Sequence, residues 1–320
     1  MKTIATLTMN PSLDISSSVP KVVPTDKLRC GKVLREPGGG GINVARAIYQ
    51  LGGEAVAFYP AGGGTGQIVN EMLSKAGITI HPLPSRHLTR ESFAVLDESS
   101  GEQYRFVLPG PKLCKAEWQR CMAEVVAKPG PDFLVISGSL PPGVPDDFYA
   151  EIAGRLQGSS TRLILDTSGE PFNKALKAGG IYLAKPNLNE LEEFSGRTLD
   201  SEAEQEKVCA DLIDSGACEA IALSLGEKGA LLMAPGIRKR IDAIPTKVVS
   251  AVGAGDSFVA GMNLALYRDQ SMEEAFLYGM AAATAALVTP GTELCKLEDT
   301  NAYYQQLLER HPLGGVKGEE

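Results

Sequence analysis

Long apolar runs are missing from this 320-residue chain: the least charged segment, residues 279–291, covers 13 residues, short of the ~18 that a membrane helix requires. The start, Met1-Lys2-Thr3-Ile4-Ala5-Thr6-Leu7-Thr8, has too brief an apolar run for a signal peptide. Metal and disulfide patterns are missing as well. The six cysteines (Cys30, Cys114, Cys121, Cys209, Cys218, Cys295) form no CxxC pair and the three histidines are scattered, which leaves neither a zinc site nor a disulfide frame and points to reducing cytoplasm. Positive charge is not in excess: 31 basic against 39 acidic residues give −8, which excludes holding nucleic acid or anionic lipid by bulk electrostatics. Any phosphate must be bound locally. What is abundant is glycine, 35 of 320 residues, about 11% against a usual ~7%, with no collagen-like period. With 43% hydrophobic and 22% charged residues, the chain is soluble and globular in composition, and long enough for one large α/β domain or two ordinary ones.

Short apolar runs alternate with longer helical patterns, which predicts βαβ units and a mainly parallel sheet flanked by helices. Leu134-Val135-Ile136-Ser137, Leu163-Ile164-Leu165-Asp166, Tyr182-Leu183-Ala184 and Ala220-Ile221-Ala222-Leu223 are such runs. Each is followed by a polar or glycine-containing loop, where ligands bind in open α/β sheets. Two segments break the rhythm. Residues 15–35 are strand-like but interrupted by Pro20 and Pro24, and residues 92–108 alternate as Phe93, Val95, Tyr104 and Phe106 around Ser99-Ser100-Gly101. Together they predict a small separate sheet, which needs a partner surface and so serves as a lid, a dimer contact or both. No linker divides the chain, which reads as one domain over 1–320 with a charged, glycine-rich tail at 311–320 that frays.

Two glycine clusters lead into helical patterns. Gly38-Gly39-Gly40-Gly41-Ile42-Asn43-Val44-Ala45 precedes the spacing Val44, Ala47, Ile48, Leu51, and such a run exposes backbone N–H groups to a ligand or simply makes a flexible turn. It is not the dinucleotide fingerprint, since Val44 stands at the third glycine position, and no GxxxxGK[ST] occurs. The second run is Val252-Gly253-Ala254-Gly255-Asp256-Ser257-Phe258. It frees the N–H groups of Ala254, Gly255 and Asp256 at a positive helix end, with an acid beside them. Asp256 is then either a helix cap or the base for a hydroxyl attacking phosphorus. Asn187 and Glu190, three apart after Lys185-Pro186, suit either Mg²⁺ or a capping box.

These runs, with Asn187-Leu188-Asn189-Glu190 as an NxxE motif, resemble the signatures of the ribokinase-like (PfkB) carbohydrate kinases, in order and at family spacing over essentially the whole chain. Thr6-Leu7-Thr8-Met9-Asn10-Pro11-Ser12-Leu13-Asp14, Lys27-Leu28-Arg29-Cys30 and Gly101-Glu102-Gln103-Tyr104-Arg105-Phe106-Val107 are similar to its 6-phosphofructokinase branch. Gly40 also stands where 1-phosphofructokinases and tagatose-6-phosphate kinases usually carry Lys.

The resemblance implies a three-layer Rossmann-like fold with a β lid and ATP-dependent phosphorylation of fructose 6-phosphate at O1. In it Asp256 is the general base, and the N–H groups of Gly253, Ala254, Gly255 and Asp256 receive phosphoryl charge. It implies Asp14, Gly39 and Asn43 at the sugar, and Ser139, Arg90, Lys27, Arg29 and Arg105 around its phosphate. The basic residues have a solvated surface as their alternative. Lys185, Asn187, Ser224, Gly226 and Gly229 would face ATP, and Asn187 and Glu190 would organise Mg²⁺. Ser250, Val252, Ala286, Thr289, Gly291 and Glu293 correspond to the family's K⁺ positions, although Ala251 replaces a usual Thr and Glu293 adds a carboxylate there. A homodimer through the lid is expected, with Arg29 reaching the neighbour's site. Tagatose 6-phosphate, fructose 1-phosphate and a non-catalytic sugar-phosphate sensor stay open as alternatives.

Overall fold

The computed structural model describes residues 2–127, 130–291 and 293–313. In chain order its elements are β1 (Ile4–Leu7), β2 (Ser12–Val19), β3 (Leu34–Gly38), α1 (Gly40–Gln50), β4 (Val56–Ala61), α2 (Gly63–Lys75), β5 (Thr79–Pro84), β6 (Arg90–Asp97), β7 (Gln103–Val107), α3 (Lys115–Val125), β8 (Phe133–Ser137) and α4 (Phe148–Leu156). There follow β9 (Arg162–Asp166), α5 (Gly169–Ala178), β10 (Ile181–Ala184), α6 (Leu188–Ser195), α7 (Glu202–Asp214), β11 (Cys218–Ser224), β12 (Ala230–Ala234), β13 (Ile237–Ile241), α8 (Ala254–Tyr267), α9 (Met272–Leu287) and α10 (Leu297–Arg310).

The main sheet has nine strands in the order β13-β12-β11-β10-β9-β8-β1-β4-β5. It is parallel from β5 to β11, and β12 and β13 add antiparallel at one edge. Strands buried on both faces read as continuous apolar runs, which is why four of them were visible in the sequence. Their side chains alternate between two cores. Leu134 and Ile136 face the core shared with α3 to α7, whereas Phe133 and Val135 face the one shared with α1, α2, α8, α9 and α10. Helices therefore cover both faces, the three-layer arrangement expected. The two edges differ in chemistry: β5 carries Pro82 and Pro84, and β13 carries Arg238, Lys239 and Arg240, all three paired with glutamates.

The four-stranded second sheet runs β3-β2-β6-β7, with β2 and β6 parallel. It is the predicted small sheet with shifted bounds, starting at Ser12 and Arg90, while residues 20–33 contribute no strand. The Asp97 carboxylate accepts from the Val22 and Ser99 N–H groups, which ties that loop to the β6–β7 turn. Phe106 and Val107 are 56% and 65% exposed, and Leu28, Leu34, Phe93, Leu96 and Tyr104 are exposed too. Most of the 311–320 tail lies outside the described residues. No helix among the described residues is long and apolar enough to cross a membrane.

The core under the site depends on two glycines. At the α8–α9 crossing a Cβ on Gly261 would lie 2.9 Å from the Tyr278 carbonyl and 3.0 Å from Gly279 Cα. Overpacking there should cost about 1–3 kcal/mol, so Gly261→Val should lower stability by that amount in urea unfolding. Gly154, in the last turn of α4 with open space around it, makes the contrast. Gly154→Ala should raise stability by about 0.5–1 kcal/mol in the same experiment.

Candidate active site

The carboxyl ends of β8 and β9, the loop after β10 and the first turns of α1 and α8 meet around Asp256. Gly253 caps α8 in a left-handed conformation (φ +78°), which an L side chain adopts only with strain, and no side chain caps the helix. Asp256 is in the first turn but does not act as the cap. Its Oδ2 accepts from Asn43 Nδ2 at 2.9 Å, and its Oδ1 faces Ser137 Oγ at 3.5 Å. Both contacts come from across the cleft, which disposes of the cap alternative and leaves the N–H groups of the first turn to an anion.

Beside this turn, Lys185 Nζ lies 3.0 Å from Asp166 Oδ1, and a Cβ on Gly255 would be 3.6 Å from that ammonium. Burial would push the Lys185 ammonium down, but Asp166, and then Glu190 and Asp256, hold it above its ordinary value. Burial, reinforced by the negative charge of Asp166, pushes Asp256 up to about 6, against the hydrogen bond from Asn43 and the charge of Lys185. Asn187 and Glu190 form the capping box of α6: Asn187 Oδ1 accepts from the Glu190 N–H at 2.9 Å, and Glu190 Oε2 from the Asn187 N–H at 2.8 Å. Glu190 Oε1 is left uncommitted among the described residues. Burial raises the Glu190 carboxyl, opposed by the Asn187 N–H and by Lys185. Among the described residues no three acidic, histidine or cysteine side chains gather into a metal cage. A cation at Glu190 would therefore rely on water and phosphate oxygens.

The cleft, about 320 Å³, runs from Asp256 to the second sheet and is lined by Asp14, Glu36, Gly39, Asn43, Arg90 and Arg105 among others. Arg90 donates to the Leu108 and Asn10 carbonyls, yet its buried Nε has no partner among the described residues. A buried guanidinium N–H left unpaired is a place for an anionic group. Burial lowers the Arg90 guanidinium, with Asp14 opposing, and burial raises the Asp14 carboxyl against the Ser12 hydroxyl and both arginines. Ser139 joins this end through Asn10, whose Nδ2 donates to Ser139 Oγ at 3.1 Å. Lys27 and Arg29 are exposed on the 20–33 loop and do not line the cleft of their own chain.

The glycines of the first run divide between cleft and packing. Of the four, only Gly39 (φ +112°) lines the cleft, and the Ile42 N–H is taken by Thr8 Oγ1 at 2.7 Å. A Cβ on Gly41 would sit 2.6 Å from the Leu7 carbonyl, and one on Gly40 2.8 Å from Gly138 N. The run lets α1 press its end against β1 and β8, so the bare backbone at Gly40 and Gly41 serves close packing.

On the far side, Ser224 N donates to the Pro186 carbonyl and bridges to Asn187, which brings those two loops together. Gly226 opens a short turn at residues 226–228, and at Gly229 a Cβ would run into the β13 end at the Ile241 carbonyl. The segments carrying Ser250, Val252, Ala286, Thr289 and Gly291 also meet: Ser250 Oγ donates to the Gly291 carbonyl at 3.0 Å, and Thr289 Oγ1 to that of Ala286 at 2.8 Å. Glu293 differs, since its exposed carboxylate pairs with Lys296 at 3.5 Å and its carbonyl accepts from Gln50. The extra carboxylate is thus turned to a lysine beside it.

A helix-end anion site with a carboxylate beside it, and an arginine pair at the far end of the same cleft, are the parts of a sugar-phosphate kinase. The model of the pfkB family of carbohydrate kinases matches residues 8–300. The chain belongs to that family. The ATP-dependent 6-phosphofructokinase isozyme 2 of Mycobacterium tuberculosis is 44% identical over 97% of this chain and 91% of its own length. The enzyme of the same name from Escherichia coli K12 is 41% identical over 96% and 99%. Solved structures of Escherichia coli phosphofructokinase-2 with fructose-6-phosphate, with potassium and in a tetrameric inhibited form superpose with TM-scores of 0.90, 0.92 and 0.90. Each has 40% identity, 96% of this chain and 99% of that one being covered.

The principal residue of this pfkB-family site that sequence reasoning missed is Asp166, which binds Lys185 and accepts from Ser137 Oγ at 3.0 Å. The available signal was its position, an acid closing a buried strand at the ligand-binding edge of the sheet. One prediction concerns Asp256 alone. Its folded-state value of about 6 lies above the ordinary 3.8, so the ionised carboxylate opposes folding, and stability falls as pH rises through that interval. Asp256→Asn should exceed the wild type by about 2 kcal/mol in urea unfolding at about pH 8 and lose that advantage near pH 4. Equal stability at both pH values would contradict the account of its burial.

Proposed function

We propose that this chain transfers the γ-phosphoryl group of ATP to O1 of fructose 6-phosphate, giving fructose 1,6-bisphosphate. The observation that carries it is a single cleft with a carboxylate beside an open helix N-terminus at one end and an unpaired Arg90 N–H at the other. Relatives at 41–44% identity, named for this activity, support it. Asp256 takes the proton of the attacking hydroxyl, and the N–H groups from Gly253 through Ala254 and Gly255 to Asp256 receive charge developing on the phosphoryl oxygens. Arg90, Arg105 and Ser139 bind the sugar phosphate, and Asp14, Gly39 and Asn43 the sugar. Lys185 faces the nucleotide phosphates, with Ser224, Gly226 and Gly229 on the nucleotide side.

Mg²⁺ accompanying ATP would neutralise phosphate charge, and the oxygen donors Asn187 and Glu190 suit it through water. The carbonyl-rich loops of Ser250, Val252, Ala286, Thr289, Gly291 and Glu293 suit K⁺, which would add positive charge behind the α8 turn; the potassium complex of the Escherichia coli relative supports this. The chain acts as one kinase domain with the second sheet as lid.

In an ADP-release assay over fructose 6-phosphate, tagatose 6-phosphate, fructose 1-phosphate and unphosphorylated hexoses, fructose 6-phosphate should turn over best. Best turnover on an unphosphorylated hexose would sink the role given to Arg90 and Arg105. Asp256→Asn should lower kcat about 10²–10⁴-fold while both substrates still bind. Wild-type kcat/KM should fall as pH drops below about 6, the value to which Asp256 is raised.

The exposed apolar side chains of the lid support pairing of two chains there, with Lys27 and Arg29 serving the neighbour's cleft. Phe106→Asp should then yield monomers in sedimentation velocity and at least about a tenfold loss of kcat/KM. A fully active monomer would refute a shared site.

A further inference from the structure

Asn43, 8% exposed, holds Asp256 through one end of its amide, and the other end is held as well. Arg46, one turn further along α1, donates from Nη1 to Asn43 Oδ1 at 3.3 Å and to the Pro37 carbonyl at 3.0 Å. Its Nη2 meets Glu36 Oε1 at 3.2 Å, the two side chains being 12% and 21% exposed. A guanidinium has only donors, so the amide end it touches must be the oxygen, and the NH₂ end is thereby turned to the carboxylate. Glu36 and Pro37 belong to β3, the lid strand that pairs with β2 at Asp14. The chain of contacts thus runs from lid to base.

We propose that Arg46 is a positioning residue: by fixing the sense of the Asn43 amide it holds the Asp256 carboxylate ready to accept a proton, and it ties that alignment to the seating of the lid strand. The inference rests on Asp256 being the base. Without Arg46 the amide is free to rotate and present its oxygen to Asp256, a contact that only a protonated carboxyl tolerates. The other groups facing Asp256 stay as they are: Ser137 from the end of β8, Asp166 from β9 and Lys185 from the loop after β10, with Glu190 acting on Lys185. Burying an ion pair is weak evidence for a purely stabilising role, which favours reading the Arg46–Glu36 pair as alignment.

The test is steady-state kinetics with fructose 6-phosphate and ATP on Arg46→Met, Arg46→Lys, Asn43→Ala and the Arg46→Met/Asn43→Ala double variant, with Asp256→Asn as reference. Arg46→Met should lower kcat about 10–100-fold, change either KM by less than about threefold, and move the acid limb of kcat/KM upward by about half a pH unit or more. Arg46→Lys, which keeps a donor, should recover most of kcat and the wild-type limb. In the Asn43→Ala background Arg46→Met should cost less than about threefold, because the group it acts through is gone. An unmoved acid limb in Arg46→Met, or losses that multiply in the double variant, would overturn the proposal while Asp256→Asn stays inactive. If Arg46→Met does not fold, an acid limb in Arg46→Lys that moves as far as that of Asn43→Ala overturns it, and one that stays near wild type supports it. Near-normal turnover by Asp256→Asn would instead remove the base reading, and this inference with it.

Discussion

Two carboxylates, Asp166 and Asp256, are held near one buried ammonium, Lys185, at the carboxyl edge of the main sheet, and the rest of the structure is arranged to make that tolerable. Charges removed from water are costly unless paired and hydrogen-bonded. Each member comes from a different element, the end of β9, the loop after β10 and the first turn of α8, so three long-range placements must be right together. The two apolar cores and the glycine-lined α8–α9 crossing provide that rigidity. The imbalance is not fully cancelled. What remains keeps Asp256 near neutrality, where a carboxylate can both accept and hold a proton.

The second sheet and the helix that carries Asn43 are also one continuous piece of chain. β3 ends at Gly38, α1 begins at Gly40, and Gly39 alone lies between them with a positive φ. The position of β3 is thus set within a residue of the helix that carries Asn43. Distance along the chain and distance along the cleft are nearly the same here, whereas Asp256 reaches the site from the other end of the sequence.

Much of this could be read from the residues. Strands buried on both faces announce themselves as apolar runs, and the Gly253-Ala254-Gly255-Asp256 turn carries its chemistry in its spacing. In the first glycine run, glycine signals want of space as well as exposed N–H groups; the carbonyl of Leu7 and the backbone at Gly138 show the close packing at Gly41 and Gly40, which the sequence does not. Asn187 and Glu190 show the capping box that their spacing also allowed, and capping does not exhaust the glutamate's oxygens. Asp166 was silent since its partners Lys185 and Ser137 lie far away in sequence, and Glu36 and Arg46 since their pairing depends on the turn that folds β3 against α1.

The edges of the main sheet have a consequence for assembly. A strand edge is a row of unsatisfied hydrogen-bonding groups that invites another copy to add on. Here Pro82 and Pro84 deprive β5 of donors, and the arginines and lysine of β13 are engaged by glutamates, so neither edge offers a flat, regular template. In the second sheet the β3 edge carries Pro37, whereas β7 is exposed along its whole length and contains no proline. A chain crowded with its own copies thus has little opportunity to grow into a fibre through its largest sheet.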